Sequence, residues 1–170
     1  MLRSVLKGID ATSDWSGKVV SFLIYAAIGV LIYEIVLRYL FNAPTIWAHG
    51  ITQRLVATYA ILLGAYTLRQ GGHVKVDILY NRLSMRGRAI LDLFTAIFFL
   101  LFCGVLLWQG ADFAWISVKI LERDNTIPFN APLYPVKVML PLGALLILLQ
   151  GLAQFTRNLI TAVTGRQCEH

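Results

Sequence analysis

Three histidines, two cysteines and nine acidic residues are the side chains of this 170-residue chain best suited to metal, redox or acid–base chemistry. His49 and His73 flank one apolar stretch, 24 positions apart. Along a helix that separation is ~36 Å, so the two imidazoles cannot share a metal within one chain. His170 is the last residue, and a bis-histidine haem would need ligands that the chain does not have. Cys103 sits inside an apolar run and Cys168 in the polar tail, which fits neither a disulfide framework nor a metal site. Walker-A, HExxH and GxSxG motifs do not occur. The residues therefore predict no enzyme, no cofactor and no metal.

The acidic residues point elsewhere. Glu34 has Arg38 one helical turn on, Asp92 has Arg88 one turn back, and Asp112 stands near the far end of its apolar run. Each lies within about two turns of an end, where snorkelling and water relieve most of the cost of a charge in lipid. The apolar middles, Leu55 to Leu63 and Thr95 to Leu106, offer almost no polar ladder. Taken alone, the chain is a poor conduit for ions or protons.

The elements that carry these residues follow from composition. Hydrophobic residues make up 58% and charged residues 14%, too little polar surface to cover a soluble domain of this length. The apolar blocks have transmembrane helical length, which predicts an all-α integral membrane protein, one membrane domain over 1–170 with spans at about 19–37, 47–68, 90–115 and 136–155. Met1 to Ser16 carries Leu2, Val5, Leu6 and Ile9 at helical spacing among Arg3, Lys7 and Asp10. That pattern predicts a short amphipathic helix lying on the membrane surface. The Val19 to Leu37 block is too long for a signal-peptide core and is expected to remain as the first span. Asp77 would cap a short interfacial helix in the Gly71 to Gly87 connector, and Pro141 would kink the last span.

Ten of the fifteen Lys and Arg residues fall in the N-terminal segment, the 69–88 connector and the tail, against five on the other side. The positive-inside rule then places both termini and that connector in the cytoplasm. The net charge of +6 forms no aromatic-interleaved basic patch, so nucleic acid is not an expected partner. Four spans without an internal repeat are too few for a complete secondary transporter, and an accessory subunit is expected.

The segment RYLFNAPTIWAHGITQRLVATYAILLGAYTLRQGGHVKVDILYNRLS, Arg38 to Ser84, resembles the small membrane subunit of tripartite ATP-independent periplasmic (TRAP) transporters, the DctQ-like family. The resemblance covers about a quarter of the chain closely: RYLFN, then Trp47, then an apolar helix that runs into LRQGGHVKVD. It implies a heterodimer in a bacterial inner membrane with a large multi-span TRAP membrane subunit, a periplasmic substrate-binding protein, and symport driven by an ion gradient, typically sodium. The small subunit would be a scaffold. The positions it picks out as subunit-interface or structural motif are Arg38, Asn42, Trp47, Arg54, Arg69, Gly72, His73 and Asp77. Arg38 and Trp47 also fit plain interfacial anchors, and Gly72 a helix stop. Where the family commonly has two acidic residues after the tryptophan, this chain has Ala48, His49 and Gly50. The rival readings are a membrane redox protein holding haem or quinone, and a small self-assembling transporter.

Overall fold

The computed structural model describes residues 2–70, 85–124 and 130–164. They form four helices, α1 (Leu2–Leu40), α2 (Ala48–Arg69), α3 (Met85–Lys119) and α4 (Tyr134–Thr164), and two short strands, β1 (Arg123–Asp124) and β2 (Ala131–Pro132). Three helical stretches are long and apolar enough to cross a membrane by length and composition: Leu6–Leu40, Ile90–Lys119 and Tyr134–Thr161. The interfacial helix expected around Asp77 falls outside the described residues.

The helices run alternately up and down. α2 and α4 pack side by side in the middle, α1 lies on α2, and α3 lies on α4. The N-terminal part of α1 thus shares one end of the molecule with the C-terminal turns of α2 and α4, here the terminal end. The C-terminus of α1 and the α3–α4 loop mark the opposite, loop end.

What packs inside is small. Ala27, Ala48, Ala65, Ala114, Ala144 and Ala153 are buried, whereas Phe22, Phe94, Phe98, Leu101 and Trp108 point outward. A chain folded in lipid gains nothing by hiding leucine from leucine-like tails, so its helices associate by close van der Waals fit between small residues. At the α2–α4 crossing the fit is reciprocal: Ile147 of α4 sits over Gly64 of α2, and Ile61 of α2 sits over Gly143 of α4. A Cβ on Gly143 would stand 2.8 Å from the Ile61 carbonyl oxygen, so the two backbones touch. Gly17 of α1 gives the same access to the ring of Tyr66 on α2.

α1 differs from the expected surface helix followed by a separate span. It is one element of 39 residues, about 58 Å long, with no break between the two. The amphipathic pattern at its start has a different cause: the polar residues Asp10, Ser13 and Asp14 turn toward α2 and α4, while Trp15 is 68% exposed. The polar side is the packed side. α4 runs from Tyr134 to Thr164 with Pro141 inside it.

Candidate functional site

At the terminal end, Asp10 is the centre of a polar cluster that joins three helices. One carboxylate oxygen accepts a hydrogen bond and an ion pair from Arg157 of α4, and the other accepts 3.1 Å from the Gln150 amide. Gln150 in turn accepts from the Ser13 hydroxyl at 2.9 Å. From α2, Arg69 pairs with Asp14 and donates to the Asp10 backbone carbonyl at 2.9 Å. Ser13, Gln150 and Arg157 are all buried. Buried charges persist when paired and hydrogen-bonded, and here two acids on α1 meet two arginines from its neighbours.

At the loop end the centre is Glu34, 7% exposed. Arg38 donates to it from Nε at 3.1 Å and Nη2 at 2.6 Å, and Thr45 donates from its backbone N–H at 3.1 Å and from its hydroxyl. Asn42 takes a left-handed conformation (φ 51°) that suits an Asx residue, and the Ala43 N–H returns to the Leu37 carbonyl at 3.0 Å, closing α1. Trp47, at the start of α2, lies 6.0 Å from the ring of Tyr33. The turn between α1 and α2 is thus pinned by a carboxylate on one side and an aromatic pair on the other.

The α3–α4 loop is fastened at the same end. Its strands pair antiparallel, Arg123 with Pro132 and Asp124 with Ala131. Arg54 of α2 holds Asp124 at 2.7 Å, and Lys137 of α4 holds Glu122 at 2.6 Å while its ammonium stands 4.1 Å from the centre of the Phe113 ring. Lys137 also keeps the Glu122 carboxyl below the usual glutamate range.

Glu34 and Asp10 are 24 positions apart on α1, ~36 Å at 1.5 Å per residue. That is slightly more than the ~30 Å hydrocarbon core of a bilayer. The stretch of α1 between the two clusters is therefore long enough to cross that core.

A family model described as tripartite ATP-independent periplasmic transporters, DctQ component, matches residues 27–161. The chain belongs to the DctQ family. Its relatives include a Haemophilus influenzae protein designated a TRAP transporter small permease, 28% identical over 131 residues that are 76% of each chain. The sialic acid TRAP transporter permease protein SiaT of Haemophilus influenzae is 28% identical over 115 residues, which are 64% of this chain and 18% of SiaT. DctQ components are inner-membrane proteins of transporters, paired with a large permease and served by a periplasmic binding protein.

In this DctQ chain, Arg38, Asn42, Trp47 and Arg54 gather at the loop end and Arg69 joins the terminal cluster. Gly72, His73 and Asp77 lie outside the described residues. Sequence reasoning missed Asp10, Ser13, Gln150 and Arg157 as partners. The available signal was the spacing of Asp10, Ser13 and Asp14, which puts three polar residues on one helical face. Among the described residues no group of three or more His, Cys, Asp and Glu could hold a metal.

Proposed function

We propose that this chain is the scaffold subunit of its transporter. It crosses the inner membrane four times, α2 included, with both termini in the cytoplasm. It pairs laterally with a large permease that moves solute by an elevator-like motion driven by an ion gradient, typically sodium. The observation that supports this is the placement of its polar groups: two clamps at opposite ends of the bundle and small-residue contacts between. Such a body is stiff and, among the described residues, offers no polar path through the bilayer, which suits a fixed reference for a moving neighbour.

In this reading Arg38, Asn42, Trp47 and Arg54 shape the periplasmic end, and Arg69, with Gly72, His73 and Asp77 of the connector, the cytoplasmic end. The segments 41–47 and 116–134 are where a solute-loaded binding protein would meet the subunit. The solute itself is set by the other two components.

The test is co-purification. This chain alone carries a tag, the neighbouring large-permease gene is co-expressed, and retention of the permease in mild detergent is measured. A stoichiometric pair supports the scaffold. A stable chain that transports solute with no partner sinks it in favour of self-assembly.

A further inference from the structure

α1 turns one face away from the rest of the chain. Phe22, Tyr25 and Ile32 on it are 73%, 69% and 55% exposed, and Ala26 and Gly29 between them are exposed as well. A Cβ added at Gly29 would meet nothing within 4 Å. The result is a shallow notch floored by backbone and walled by aromatic and branched side chains, a form that lets a second helix approach closely.

Tyr25 distinguishes this face from one that lipid would cover. It lies nine positions from Glu34 and fifteen from Asp10, ~13 Å and ~22 Å along the axis, well inside a ~30 Å hydrocarbon slab. Side chains on a helix lean toward its N-terminus, so the phenol is directed to the midplane and not to the nearer surface. Its ring accordingly stands 6.5 Å from that of Phe22, on the N-terminal side. Among the described residues its hydroxyl has no hydrogen-bond partner. Acyl chains offer none, and a lone hydroxyl at that depth is costly, which is why tyrosine normally sits at the membrane surface.

The outer face of α3 makes the contrast. Phe94, Phe98, Leu101 and Val105 carry it through the bilayer with hydrocarbon alone. Its polar groups are satisfied within the helix: the Thr95 hydroxyl donates to the Leu91 carbonyl at 2.7 Å toward one end, and the Trp108 indole donates to Asp112 at 3.1 Å toward the other. Lipid suits that face.

We infer that the notch on α1 formed by Phe22, Tyr25, Ala26, Gly29 and Ile32 seats a transmembrane helix of the large permease, to which Tyr25 donates a hydrogen bond near the midplane. This rests on the scaffold reading. The occupant is taken as the permease and not a second copy because in SiaT a segment similar to this chain makes up only 18% of one permease, so its neighbours there belong to a different sequence.

The experiment measures permease retained per tagged chain for the wild type and for Gly29→Leu, Tyr25→Phe and, on the other flank, Leu101→Trp, each first shown to elute as a folded species. Gly29→Leu is expected to lower retention at least tenfold, Tyr25→Phe about threefold as for one interhelical hydrogen bond, and Leu101→Trp not at all. Full retention by Gly29→Leu and Tyr25→Phe overturns the inference, as does loss confined to Leu101→Trp. Disulfide-linked homodimers of Gly29→Cys in native membranes overturn it in favour of a second copy. A wild-type chain that retains no permease removes the scaffold reading itself, an outcome the variants cannot mimic.

Discussion

Arg157 and Asp10 are 147 positions apart and form an ion pair that fastens the last helix of the chain to the first. Both side chains are mostly buried, 10% and 14% exposed. Removing Asp10 leaves the Arg157 guanidinium without its partner in a poorly solvated place. Asp10→Ala should therefore destabilise the chain in detergent by about 3 kcal/mol. Arg157→Ala should cost less, because Asp10 keeps the Gln150 amide and Arg69 Nε at 3.8 Å, and the double variant less than the two combined. Thermal unfolding followed by circular dichroism checks this, and strict additivity would show that the pair does not act as one.

At the other end the order of sensitivity follows burial. The Arg38 side chain is 52% exposed, so Arg38→Ala should cost at most about 1 kcal/mol. Glu34 is buried and holds Thr45 as well, so Glu34→Ala, which leaves both donors unpaired, should cost about 2 kcal/mol. Equal melting shifts for the two variants would contradict this ranking.

Gly143 and Gly8 should respond oppositely to alanine. At Gly143 the new methyl meets the Ile61 backbone, which no rotamer change relieves, and a loss of about 1–3 kcal/mol is expected. At Gly8 it meets nothing within 4 Å, and alanine should be neutral or stabilise by up to about 1 kcal/mol through helix propensity. Chemical-denaturant midpoints in detergent compare the two.

The α3–α4 loop should loosen in acid. Lys137 lowers the Glu122 pKa below its ordinary value of 4.5, so the folded loop favours the ionised form. Its stabilising contribution is complete above that ordinary value and declines as pH falls through it and on through the lower folded value. The Leu133 amide, which donates to the Glu122 carbonyl at 2.9 Å, reports the change. Its hydrogen-exchange protection, corrected for intrinsic rate, should drop below about pH 4.5 in the wild type. In Glu122→Gln it should be low and independent of pH.

Local pairs and long apolar runs were legible in the sequence. Glu34 and Arg38 sit one turn apart, and the structure joins them directly. Each apolar stretch lies within one of the four helices. Contacts between helices were not legible. Asp10 reads like any charge in an amphipathic segment, because hydropathy periodicity states which face is polar but not what that face meets. The same polar stripe serves a headgroup surface or a pair of arginines from elsewhere in the chain. Arg54 was singled out by family resemblance, yet its partner Asp124 lies in a loop whose Pro128 and Pro132 predict only the absence of helix.

Because α2 is tied to α1 at both of its ends, through the turn in which Thr45 donates to Glu34 at one and through Arg69 and the acids of α1 at the other, the two helices behave as a frame braced at opposite corners. Sliding one member past the other by a single turn, ~5.4 Å, would have to rupture both braces together. A force applied sideways to the frame is resisted as shear in a stiff panel, and in an elevator-type transporter that resistance would sit beside the part that has to move.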